Sequence, residues 1–254
     1  MTRLICVTSG KGGVGKTTLV ANLAASMAKL NRKVMVIDGN VTTPNIGFHL
    51  NMPVAKTTLH DVMRGQARIR DAVYMHEAGF YVLPAGISFD EMKGVDPSTL
   101  SEVVANLDGT MDMIILDSAA GLGREAQSAM DAANEIILVT NPDLPSVADA
   151  LKTVKVVQNK DKWITGVVLN RVRNHKHEMT RREVEQMLSL SVSAEIPEDI
   201  NVPASIAMRK PVVSANPRSA ASEEITRLAH SLIGLQYQKR NPSLMSRVFG
   251  FIFD

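Results

Sequence analysis

One junction constrains most of what this chain can become. The apolar run RLICVTS, residues 3–9, passes directly into GKGGVGKTT, Gly10 to Thr18, and on into TTLVANLAASMAKL, residues 17–30. The first stretch reads as a strand buried on both faces and the last as an Ala/Leu-rich helix. The glycine-rich joint between them has the form G-x-x-x-x-G-K-[ST] in the strand-to-helix setting that form requires. Its glycines let the backbone turn tightly and aim successive N–H groups at phosphate oxygens, and the helix N-terminus adds a favourable dipole. Lys16 is placed to reach the β- and γ-phosphates of a nucleotide, and the Thr17 hydroxyl to ligate Mg²⁺. Gly12, Gly13, Val14, Gly15 and Thr18 complete the loop. A glycine turn that only joined strand to helix would not need the Lys-Thr pair.

The rest of the chain repeats the alternation. KVMVID, GFYVLPA, MDMIILDSAAG, EIILVTNPD and ITGVVLNRV read as further strands, each closed by a polar or Gly/Pro signal. EAQSAMDAA, SVADALKTVKVV and EEITRLAHSLIGL read as helices. Strands apolar on both faces and joined by helices predict a doubly wound α/β fold, its sheet mainly parallel and covered on both sides. Such sheets carry their chemistry at the carboxyl ends of the strands. At 254 residues and 45% hydrophobic, the chain can bury one large core. The net charge of +2 is too small to argue for nucleic acid by itself. The single cysteine, Cys6, lies inside an apolar run, so one chain offers neither a disulfide framework nor a cysteine-ligated cluster. No stretch reaches the roughly 18 apolar residues of a membrane span. The apolar run at the N-terminus is too short for a signal peptide, and the expected location is the cytoplasm.

A second lysine, Lys11, opens the loop. The KGGVGKT form resembles the deviant Walker A motif of the MinD/ParA family of P-loop ATPases, and the resemblance covers nearly the whole chain. VIDGNVTTPNIGFHL resembles the family's switch segment, IILDSAAGLG its Walker B segment, VLNRV its adenine-contacting strand end, and AEIPEDINVPASIAMRKPVV a segment characteristic of MinD proteins. Arg209 departs from the glycine usual at its place in that last segment. The resemblance implies an ATPase that uses ATP/ADP and Mg²⁺. Lys11 would reach the phosphates of a partner's ATP across a homodimer. Thr17, Asp38 and Asp117 would serve the Mg²⁺ shell. Asn170, Arg171, Pro197, Glu198 and Asp199 would lie near the base. The second-strand acid pair usual in the family is here Asp38 and Asn40. An amide can orient water but cannot accept a proton, so hydrolysis is expected to be slow and the ATP-bound dimer persistent. One cysteine rules out the branches that ligate iron–sulfur clusters.

The chain divides into an expected ATPase domain, residues 1–234, a polar tether, 235–242, and a segment SLMSRVFGFIFD, 243–254. On a helix, Leu244, Met245, Val248, Phe249 and Ile252 share one face, with Phe251 and Phe253 beside it. This resembles in position and character the membrane-targeting helix of MinD proteins. It implies peripheral attachment to an anionic membrane at the inner face of the cell, positioning of a cellular machinery, and an activating or cargo protein. Three other readings stand beside it. A partition ATPase of the ParA type would bind DNA through RVRNHKHEMTRRE, the weaker partner reading. A flagellar-number regulator would share the same core, and a nucleotide-gated scaffold would lack turnover.

Overall fold

The computed structural model describes residues 1–238, the Phe89 side chain excepted; the membrane-segment residues Leu244 to Phe253 lie outside the described residues. Among the described residues, eight strands form one sheet: β1 (Arg3–Thr8), β2 (Val34–Gly39), β3 (Tyr74–Met75), β4 (Tyr81–Leu83), β5 (Met113–Ser118), β6 (Glu135–Thr140), β7 (Trp163–Val172) and β8 (Val192–Pro197). Their order is β3-β4-β2-β5-β1-β6-β7-β8. Every pairing is parallel except β3 with β4. The doubly wound, mainly parallel fold expected from the alternation is the fold observed.

Among the described residues, five helices of eight residues or more flank the sheet: α1 (Lys16–Ala28), α2 (Arg124–Asp131), α3 (Leu144–Gln158), α4 (Arg181–Leu188) and α5 (Ala220–Leu232). The period of two along each strand sorts the core. Ile5 and Val7 of β1, with Val34 and Val36 of β2, face α1 and α5, whereas Cys6, Met35 and Ile37 face the opposite layer with Ala126 and Met130 of α2. A third cluster packs Leu138, Val167 and Leu169 against Val147 of α3 and Val184 of α4. Both faces are therefore dry, which is why the central strands read as continuous apolar runs.

Two strands are absent from the sequence reading. β3 is only two residues long, and β8 is an edge strand whose residues alternate between buried and exposed or half-buried, so neither makes an apolar run. GFYVLPA yields only the three-residue β4. Arg209 sits at φ 53°, the left-handed region that glycine occupies freely. Among the described residues no helix is long and apolar enough to cross a membrane.

Candidate nucleotide and metal site

The site is built where β1 hands over to α1. Gly10 packs so tightly that a Cβ there would overlap the backbone carbonyl of Asp149 in α3. The Ser9 hydroxyl donates to the Lys11 carbonyl at 2.7 Å, and the Gly121 N–H donates to the Ser9 carbonyl at 2.9 Å. These contacts tie the loop to the segment after β5. Gly15, at φ 99° and ψ 22°, is the left-handed N-cap from which α1 starts, and no side chain caps that end. The first-turn N–H groups of α1 therefore stay available to an anion, with no acid in that turn to compete.

Lys16 is buried, and its pKa is lowered by desolvation, which the charge of Asp117 partly opposes. The Thr17 hydroxyl donates to Asp117 Oδ2 at 2.6 Å. The other carboxylate oxygen, Oδ1, is buried and meets no hydrogen-bond donor among the described residues. Burial pushes Asp117 up to about 6, against the lowering effects of Thr17 and Lys16. A buried carboxylate with a free oxygen, touching a hydroxyl, is the kind of donor set that one Mg²⁺ shares with phosphate oxygens and water. No group of three or more His, Cys, Asp or Glu among the described residues could cage an ion without such help.

Asp38 faces Asp117 across the β2–β5 register. Its carboxylate, however, is engaged by backbone: Oδ2 accepts from the N–H groups of Asn45 and Ile46 at 3.0 Å each, and Oδ1 from that of Asn40 at 3.3 Å. Burial and the neighbouring Asp117 push it up to about 8. Asp38 thus organises the loop after β2. Asn40 lines the cleft, but its amide is closed on its own turn. Nδ2 donates to the Thr43 carbonyl at 2.6 Å, and Oδ1 accepts from the Thr43 hydroxyl at 3.1 Å.

The cleft over this site has a volume of about 1130 Å³ and is lined by Gly12, Gly13, Gly15, Lys16, Thr17 and Thr18. Lys11 is exposed at the tip of the loop and is not part of that lining. Val14 is buried and serves the site only through its backbone, its carbonyl accepting from Asn170 Nδ2 at 2.6 Å. A second hollow of about 550 Å³ adjoins the first. Gly15, Thr18, Asn170, Arg171, Pro197, Glu198 and Asp199 line it, with apolar walls from Ile196, Val202 and Ile225. All five residues expected near a base are therefore gathered there. Two of their side chains are committed elsewhere. Glu198 pairs with Arg173, and Asp199 accepts from the Asn201 N–H at 2.9 Å and the Ala221 N–H at 3.1 Å.

Sequence reasoning missed Glu125 and Thr42 on the cleft wall. The signal available was an acid shortly after the glycines that follow β5, but nothing local showed which way it would face. The basic cluster is partly neutralised. Arg173 is paired with Glu198, and Arg181 lies 3.1 Å from Glu185 and 3.4 Å from Glu195.

A parallel sheet whose first strand feeds a glycine loop and an uncapped helix, with a Thr–Asp pair at its carboxyl edge, defines a P-loop nucleotide-binding protein. The chain belongs more narrowly to the CobQ/CobB/MinD/ParA nucleotide-binding domain family, whose pattern matches residues 5–212. It is 35% identical over 253 residues to an uncharacterized ATP-binding protein of Methanocaldococcus jannaschii, covering 98% of this chain and 96% of that one. It is 36% identical over 247 residues to the septum site-determining protein MinD of Thermotoga maritima, covering 92% and 89% of the two chains. The structure of MinD from Pyrococcus horikoshii, solved with Mg-ADP, superposes with a TM-score of 0.88 at 35% identity, covering 91% of this chain and 96% of that one.

Proposed function

We propose that this chain is a MinD-like ATPase that dimerises on binding ATP and thereby attaches to a membrane, where it positions a cellular machinery. The observation that carries the nucleotide part is the Thr17–Asp117 contact, with its free carboxylate oxygen, beside the uncapped start of α1. Thr17 and Asp117 would hold Mg²⁺, and Asp38 keeps the adjoining loop in place. When bound, the ion neutralises phosphate charge during transfer. Lys16 holds the β- and γ-phosphates. The Asn170–Val14 bond fixes the loop against β7, next to the hollow of about 550 Å³ that would take the base. Lys11, outside its own cleft, serves the site of a second copy, where an added cation stabilises transition-state charge.

The membrane part rests on the residue pattern of 244–253. One fully buried Leu or Phe contributes roughly 1.5–3 kcal/mol, and a short interfacial helix buries only part of each. A single segment binds weakly, and two held on one dimer gain avidity. ATP-driven dimerisation then acts as the membrane switch, with hydrolysis as the release. DNA is the weaker reading, because Arg173 and Arg181 are held in ion pairs rather than presented to phosphate.

The test is co-sedimentation with anionic liposomes under ATP, ADP and no nucleotide, beside light scattering for mass and a DNA gel shift. ATP-dependent dimers should pellet with lipid, and a chain lacking residues 243–254 should still dimerise but stay in solution. ATP-dependent DNA shifts without lipid binding would reject the membrane assignment.

A further inference from the structure

At the end of β2 the Asp38 carboxylate is engaged by backbone N–H groups, position 40 is an amide, and the turn around it leaves no hydrogen-bonding atom of the Asn40 side chain unengaged. Nδ2 is held by the Thr43 carbonyl and Oδ1 by the Thr43 hydroxyl. Among the described residues that line the cleft with Lys16 and Thr17, Glu125 is the one carboxylate. It lies in the first turn of α2, and it accepts a hydrogen bond from the hydroxyl of Thr42, two residues beyond Asn40. The loop that carries the Asn40 amide is thereby joined to an acid from another element. Glu125 is half-buried, and desolvation raises its pKa above that of an ordinary glutamate. A stronger base than a solvated carboxylate suits proton abstraction near neutral pH. The bland alternative is that an acid in a first helical turn only offsets the helix dipole and clasps Thr42.

We propose that Glu125 is the general base for ATP hydrolysis in this chain, an inference that rests on the ATPase reading above. The water oxygen bonds to the γ-phosphorus as its proton passes to the Glu125 carboxylate. The bond from the γ-phosphorus to the β–γ bridging oxygen breaks, and its electron pair leaves with ADP. The protonated Glu125 returns its proton to solvent after phosphate departs.

Glu125→Gln separates the two accounts, because the amide oxygen still accepts from Thr42 but the side chain no longer takes a proton. The full chain is assayed for single-turnover phosphate release across pH. Its affinities for a non-hydrolysable ATP analogue and for ADP are measured separately, both with Mg²⁺. Turnover should fall by roughly 100-fold or more. Removing a negative charge from the cleft that would take the γ-phosphate should also tighten triphosphate binding about threefold or more, with ADP affinity unchanged. Adding Asn40→Asp to Glu125→Gln should recover turnover. Turnover within about twofold of the parent, or equal changes in triphosphate and diphosphate affinity, overturns the role. A parent that binds ATP but never hydrolyses it also overturns the role while leaving nucleotide binding standing. A parent that binds neither nucleotide rejects the ATPase reading itself.

Discussion

Gly15→Ala should damage the phosphate loop by two separable routes. Gly15 sits at φ 99°, where an L-residue pays steric strain of about 1–2 kcal/mol. A Cβ on Gly15 would also overlap Asn170 Nδ2, the atom that donates to the Val14 carbonyl at 2.6 Å. To make room the Asn170 amide must swing away and give up that bond, worth about 0.5–1.5 kcal/mol. The single variant should therefore lose about 1.5–3.5 kcal/mol. In an Asn170→Ala background the overlap and the bond are already gone, so the same change should cost only the backbone strain of about 1–2 kcal/mol. The assay is urea unfolding of the nucleotide-free chain for the parent, both single variants and the double. The cycle should show a coupling of about 1 kcal/mol, above the usual additivity error. Costs that add within about 0.3 kcal/mol would refute the steric reasoning and leave backbone strain as the whole effect.

Lys16→Ala should abolish nucleotide-dependent dimerisation and lipid binding together, whereas Lys11→Ala should spare nucleotide affinity and impair hydrolysis and tight dimerisation; fluorescent-nucleotide titration beside light scattering checks both, and identical behaviour of the two variants would remove the trans role of Lys11. The pH dependence of the nucleotide-free protein follows from Asp38, whose pKa is raised to about 8 by burial and by Asp117. The folded state then binds more protons than the unfolded one, so stability should fall as pH rises through this range. Buried His60 and His76 are shifted down from 6.5, and act in the opposite sense only below that pH. Urea midpoints should thus decline from pH 6.5 to 8.5 and flatten in Asp38→Asn; a rising midpoint in the parent would contradict the shift.

What could be read from the residues alone was whatever depends on local backbone chemistry and periodicity. GKGGVGKTT after RLICVTS determined the phosphate loop, because only glycines permit that turn and only a helix start presents unpaired N–H groups. Runs apolar on both faces determined a parallel sheet, because βαβ crossovers cover both sides. The short β3 and the half-exposed β8 escaped this reading, since neither carries a continuous apolar signal. Strand order, and with it the meeting of Thr17 with Asp117 across 100 residues of chain, was decided only by the folded sheet. The same is true of side-chain direction at the strand ends. Asp38 reads as a site acid yet is turned onto backbone N–H groups, Asn40 closes on Thr43, and Glu125 enters the cleft from a different helix. Which carboxylate faces a ligand depends on how loops from separate strands pack at one edge of the sheet, and no local pattern encodes that packing.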